Sequence, residues 1–203
     1  MQRPRLKIIR RLGTPLPGLT RKEADNKPYP PGAHGNGGKR PSRPSAYRLR
    51  LVEKQKVRFN YGISEGQVRR YFERAARSGG VTGEALLALI ERRLDNVVFR
   101  LGLAPTVPAA RQLVAHGHVR VDGARVDRPG YLTSVGETVS VGLRGRAIPD
   151  VVSSVEQGPQ VRLPGFLALD PSDRFSGRVT STPVRADVPF LVDEAAIVEF
   201  YAR

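Results

Sequence analysis

The 203-residue chain has no cysteine, only three histidines (His34, His116 and His118) and a single methionine. Disulfides are therefore impossible, and a cysteine-based zinc site is excluded. No apolar run approaches the ~20 residues that a membrane-spanning helix requires. The first residues also lack the apolar core of a secretory signal, so a cytoplasmic protein without a membrane role is expected. Catalytic signatures are missing too: there is no G-x-S-x-G, no H-E-x-x-H and no paired-carboxylate pattern. The glycine-rich run from Gly32 to Arg40 fails as a phosphate-binding loop. Ala33 stands where Gly is needed, Arg40 stands where Ser or Thr is needed, and no strand precedes it.

Acidic residues are scarce relative to basic ones. The chain carries 34 Lys and Arg against 19 Asp and Glu, for a net charge of +15 and a pI of about 11.1. A polyanionic partner is expected from that balance. The excess is uneven: residues 1–60 hold 16 basic and 3 acidic residues, and residues 61–203 hold 18 and 16. Most of the cations are Arg, which suits planar, multidentate phosphate contacts better than point-charge attraction. Each phosphate contact releases condensed counterions, so affinity should fall with salt by roughly 0.7 to 0.9 log units per log unit of salt.

Periodicity then divides the chain. Residues 1–44 are rich in Pro, Gly, Arg and Lys and read as an irregular basic arm that orders only against RNA. Residues 45–91 read as helical. Ser64 with Gln67 makes a capping box, and Val68, Tyr71, Phe72, Ala75 and Ala76 form an apolar stripe ended by Gly79-Gly80. Thr82 to Arg93 reads as the next helix. Leu94, Val97, Val98 and Leu101 then fall at i, i+3, i+4, i+7, which predicts a short helix with Arg92, Arg93, Asp95 and Arg100 outside its apolar face. Gly102 stops it. Thr106 is the N-cap of a helix from about Val107 to His116, with Pro108 in its first turn. Alternation in His118-Val119-Arg120-Val121, the turn at Asp122-Gly123 and the return at Ala124 predict a β-hairpin. Farther on, Pro149 to Val155 reads as a helix stopped by Gly158, and Phe166–Leu169 and Arg178–Thr180 read as short strands. The final segment from Asp193 places Ala196, Ile197, Phe200 and Tyr201 on one helical face.

The helix pair and hairpin between Arg92 and Val141 resemble the S-four RNA-binding domain. The flanking blocks P-G-A-H-G (Pro31–Gly35), E-K-Q-K-V-R-F-N-Y-G (Glu53–Gly62), T-G-E-A-L-L-A-L-I-E-R-R-L-D-N-V-V-F-R (Thr82–Arg100) and the ending I-V-E-F-Y-A-R narrow the resemblance to the bacterial-type S-four family of small-subunit ribosomal proteins. Some members carry a zinc-binding cysteine cluster near the N-terminus, which this chain lacks.

The resemblance implies an α+β fold. A mainly helical body (residues 45–91, completed by 159–203) would carry an inserted S-four domain (residues 92–158) of two helices and a small sheet. No catalysis and no cofactor are expected. The implied partners are small-subunit rRNA and ribosomal protein five, with a functional link to protein twelve and messenger RNA near its path into the particle, and no homo-oligomer. The expected roles are nucleating assembly of the subunit body and supporting decoding accuracy. The expected RNA-binding residues are Arg48, Arg50, Lys54, Lys56, Arg58, Arg69 and Arg70 on the body, and Arg92, Arg93, Arg111, Gln112, His116, His118 and Arg120 on the insert. His116 and His118 resemble a metal pair by type, but the break between them and the lack of acidic neighbours favour hydrogen bonding. The S-four module also occurs in pseudouridine synthases and in a ribosome rescue factor. The 62 residues after Val141 are too few for the catalytic domain such an enzyme needs.

Overall fold

The computed structural model describes residues 4–22, 27, 29–32, 35 and 44–202. His34 and most of the glycine-rich run lie outside the described residues. The first element is a helix where an irregular arm was expected: α1, Arg5–Leu12. Eight residues are too few for a helix to persist alone, so packing sustains it. Ile9 is buried, and Leu16 and Leu19 beyond the helix are buried with it. Gly13 ends α1 in a left-handed conformation (φ 65°). The chain is then clamped at Gly18, whose N–H donates to Asn60 Oδ1 at 3.0 Å and whose carbonyl accepts from the Val107 N–H at 2.8 Å. Residues 4–20 therefore belong in part to the folded body, which corrects for that segment the expectation of an irregular arm that orders only against RNA.

Three helices follow: α2 (Ala46–Asn60), α3 (Glu65–Arg77) and α4 (Thr82–Glu91). The capping box of α3 forms as its sequence predicts, with Gln67 Oε1 accepting from the Ser64 N–H at 2.9 Å and Ser64 Oγ accepting from the Gln67 N–H at 3.3 Å. Next come α5 (Leu94–Arg100) and α6 (Val107–Ala115), the latter capped by Thr106 Oγ1. The hairpin strands β1 (Val119–Val121) and β2 (Ala124–Arg125) are joined by Asp122 (φ 47°) and Gly123 (φ 80°). These are the positive-φ positions that a tight two-residue turn needs. Strand β3 (Thr138–Val141) and helices α7 (Leu143–Arg146) and α8 (Pro149–Gln157) precede β4 (Leu167–Leu169) and β5 (Ser176–Val179). A final helix, α9 (Glu194–Tyr201), is capped by Asp193.

The strands form one antiparallel sheet in the order β2-β1-β3-β5-β4. Its inner face, with α5, α6 and α8, encloses one core around Val97, Val98, Val119, Val139, Val141 and Phe166. The second core lies among α1 to α4 and α9 and takes in Val57, Tyr61, Val68, Leu86, Ile90, Phe190 and Ile197. The C-terminal segment divides between them. Residues 159–179 were expected on the helical body, but β5 pairs with β3 (Ser140 opposite Ser176, Thr138 opposite Arg178) and carries Val179 into the sheet's core. The return to the helical core begins at Val188.

Leu16 is 1% exposed. Leu16→Ala should destabilise the protein by about 2 to 5 kcal/mol, read as a lowered midpoint in urea unfolding. An unchanged midpoint would show that the N-terminal segment does not belong to the core.

Candidate nucleic-acid interface

Positive side chains occupy two kinds of position, and burial separates them. Arg93 stands at the N-cap of α5 and is fully buried. Its Nε and Nη2 donate to the two carboxylate oxygens of Asp95 at 3.0 and 2.6 Å, and Nη1 donates to Tyr71 Oη at 2.8 Å. Burial pushes the Asp95 carboxyl above its ordinary range against the pull of Arg93 and Arg111. Arg93 is thus a core ion-pair partner and not the RNA-facing residue that the sequence suggested.

The same correction applies along all of α5, whose seven residues are buried. Arg100 donates through Nη2 to the Asp187 carbonyl and holds Nε 3.7 Å from Glu91 Oε2. Glu91 in turn accepts from the Tyr61 hydroxyl at 2.5 Å and from Asn96 Nδ2 at 2.7 Å. Burial raises the pKa of both Glu91 and Tyr61.

Lys54 is also structural, at 5% exposed. Its Nζ donates to Glu65 Oε1 at 2.9 Å and lies 4.2 Å from the Phe200 ring centroid, and the Tyr201 hydroxyl donates to the same Glu65 oxygen at 2.8 Å. Partial burial works to raise the Glu65 carboxyl, but these two donors outweigh it and hold the group below its ordinary range. Four more expected contacts are half-buried and already engaged. Arg50 pairs with Glu199 at 2.6 Å, Lys56 pairs with Glu53 at 2.6 Å, Arg58 donates to Gln55, and Arg92 Nε donates to the Thr133 carbonyl at 2.7 Å.

The remaining predicted residues face solvent. Arg48 is exposed in the first turn of α2, and Arg69 and Arg70 are exposed on α3. Arg70 is followed at i+4 and i+7 by Arg74 and Arg77, both exposed, so three guanidinium groups share one stripe of the helix. In the sheet-bearing half, Gln112, His116 and Arg120 are exposed and His118 is half-buried, with the two imidazole centroids 6.3 Å apart. Among the described residues no group of three metal-ligating side chains gathers. Arg111 is intermediate, with its side chain 40% exposed and Nη1 reaching the Gly62 carbonyl at 3.4 Å and Asp95 Oδ2 at 3.6 Å.

One residue of this surface escaped the sequence reading. Arg125 lies directly opposite Arg120 across the hairpin, and both are exposed. Like charges in cross-strand register repel, and neither has a carboxylate partner among the described residues. The turn itself was the available signal, because a two-residue loop at Asp122-Gly123 fixes Arg120 and Arg125 as partners. The hairpin thus presents two cations, Arg120 and Arg125, next to the polar side chains of Gln112, His116 and His118, an arrangement suited to an external polyanion.

Residues 1–91 match the ribosomal protein S4/S9 N-terminal domain, and residues 92–139 match the S4 domain. The chain is 49% identical over 201 residues to small ribosomal subunit protein uS4 of Synechococcus sp. (strain JA-2-3B'a(2-13)), covering 98% of this chain and 96% of that protein. It is 48% identical over 200 residues to uS4B of Nitrosomonas europaea and 49% identical over 200 residues to uS4 of Thermosynechococcus vestitus, with the same coverage. The chain therefore belongs to the uS4 family of small ribosomal subunit proteins. That membership makes it a structural constituent of the particle rather than an enzyme, located with the ribosome in the cytoplasm. No helix among the described residues is long and apolar enough to cross a membrane.

Removing one member of a buried ion pair leaves the other uncompensated, at a cost of about 3 to 5 kcal/mol. Arg93→Ala should therefore destabilise the protein by an amount in that range, read as a lowered midpoint in urea unfolding. A variant that unfolds like wild type and loses only RNA affinity would return Arg93 to the binding surface.

Proposed function

We propose that the chain binds small-subunit rRNA directly through two cationic surfaces and recognises the shape of a folded junction rather than a base sequence. One surface is the α3 stripe of Arg70, Arg74 and Arg77, with Arg69 beside it and Arg48 on α2. The other joins Arg111, Gln112, His116, His118, Arg120 and Arg125 around the hairpin of the S4 domain. The observation that carries this reading is the Arg120–Arg125 pair, two exposed Arg residues set opposite one another by strand register, neither with a carboxylate partner among the described residues. A phosphate arriving at this hairpin would gain charge-assisted hydrogen bonds from both.

In this reading the protein joins the RNA early and nucleates assembly of the body of the subunit. It contacts ribosomal protein five, acts with protein twelve on decoding accuracy, and lines the path of messenger RNA into the particle with basic residues. Arg50, Lys56, Arg58 and Arg92 serve as secondary contacts that must give up or share an internal partner. Arg93 and Lys54 hold the scaffold.

Filter binding of the full chain to a small-subunit rRNA transcript tests this across a range of salt. Arg120→Ala and Arg125→Ala should each weaken binding and reduce the salt slope by about 0.7 to 0.9. Arg111→Ala should do the same without unfolding the protein, because Asp95 keeps its pairing with Arg93. Unchanged affinity and slope in all three variants would remove the hairpin from the interface.

A further inference from the structure

Between α1 and α2 lies an open cleft of about 870 Å³ whose floor is apolar and whose rim is cationic. Ile8 and Leu12 from α1 and Leu51, Val52 and Phe59 from α2 supply its apolar lining, together with the exposed Tyr47, whose ring centroid lies 5.7 Å from that of Phe200. Lys7, Arg11, Arg48 and Arg58 stand around it, and none of the lining residues is acidic. Lys7, Arg11 and Arg48 are exposed and have no carboxylate partner among the described residues, and Arg58 lies with its guanidinium 5.4 Å from the Phe59 ring.

We propose that this cleft is a nucleotide-binding site that receives an unpaired base of the RNA, with the flanking phosphates held on the rim. The proposal rests on the RNA-binding reading above and adds to it a specific seat. The cleft falls within the ~300–1,000 Å³ typical of small-ligand sites, a size for a nucleotide rather than for a protein helix. Its two chemistries match the two halves of a nucleotide. An extruded base needs an apolar or aromatic platform to replace the stacking it loses, and Tyr47 and Phe59 offer rings for that purpose. The phosphates on either side of the base need cations, and the rim supplies four with no carboxylate among the lining residues. An acidic peptide would satisfy the rim, but its carboxylates would have to be spaced to four cations while its backbone polar groups met an apolar floor. A nucleotide meets neither difficulty.

The test uses the full chain and a small-subunit rRNA transcript, with base-modifying reagents to read which unpaired bases the protein shields. Val52→Trp fills the floor, and Lys7→Ala with Arg11→Ala removes two exposed rim charges without touching the core. Stacking on an aromatic platform contributes roughly 5- to 150-fold in affinity per base. Val52→Trp should therefore lose affinity within that range at every salt concentration with an unchanged salt slope, and one base protected by wild type should become reactive. The rim double variant should expose the same base and should lower the slope by up to about 1.4 to 1.8. If the Trp variant fails to fold, the rim variant alone decides through the base protection. Wild-type protections and affinity in both variants would overturn the cleft as a base site, including the case in which it holds a peptide of a neighbouring protein, while leaving the hairpin contacts standing. Failure of wild type to bind the transcript would sink the RNA-binding reading itself.

Discussion

Two apolar cores meet in this protein across a layer of buried charge, and the rest of the architecture depends on that layer. Glu91, at the end of α4, and Arg93, at the start of α5, stand two residues apart and belong to different networks. Glu91 gathers Tyr61, Asn96 and Arg100, and Arg93 gathers Asp95 and Tyr71. Each network links the helical body to the sheet-bearing half. Charges this deep are costly to desolvate, and a hydrophobic junction of the same volume would often be as stable. What the ionic junction adds is geometry. The forked pairing of Arg93 with Asp95 tolerates few orientations, and the flanking backbone contacts of Leu94 with Tyr131 and of Asp95 with Pro129 fix the start of α5 against the loop before β3.

This layer also explains which parts of the molecule could be read from residues alone. The capping box at Ser64, the Thr106 cap, the Asp122-Gly123 turn and the Gly102 and Gly158 stops are local devices, each complete within four or five residues, and each appears where its pattern falls. The α5 segment was legible as a helix but not in its burial. Its polar residues look solvent-facing because a helix with one apolar face ordinarily has one core. Here the polar face is covered by the second core, and the cover consists of residues far away in sequence: Tyr61, Tyr71 and the Asp187 carbonyl.

The same non-locality hid α1 and the sheet's far edge. R-L-K-I-I-R-R-L holds four large apolar residues, but it has no acidic residue and sits in a stretch rich in Pro, Gly, Arg and Lys whose overall composition favours disorder. Its Ile9 is nonetheless buried, because Leu16, Leu19 and the clamp at Gly18 bring the chain back onto α2 and α6. Strands β4 and β5 were recognisable as strands, but their partner was not. Pairing with β3 is set by register over some forty residues, and nothing in the alternation of Phe166–Leu169 or Arg178–Thr180 names it. In the candidate interface the effect is sharper. Charge counts identified the right residue types, but whether a given Arg or Lys faces solvent or a carboxylate depends on the tertiary neighbours. Arg93 and Arg120 are alike in sequence terms and opposite in burial.

If the protein reads the shape of an RNA as proposed, the ionic junction and the cationic surfaces are parts of one device. The α3 stripe and the hairpin cations lie on different cores, and a prefolded RNA can engage both at once only if their separation already matches its own. A flexible joint would charge that match to the binding energy as lost conformational freedom. A junction locked during folding makes the expense part of the protein's own stability, and the hydrophobic cores on both sides offset it. Arg111 marks the place where the two functions touch. Its guanidinium reaches back to the buried Asp95 and to Gly62 of the helical body, and 40% of its side chain remains in solvent. In the proposed complex a phosphate at Arg111 would therefore meet a cation already oriented by the ion pair that joins the two halves, so that the charges that set the geometry of the fold would also set the geometry of the contact.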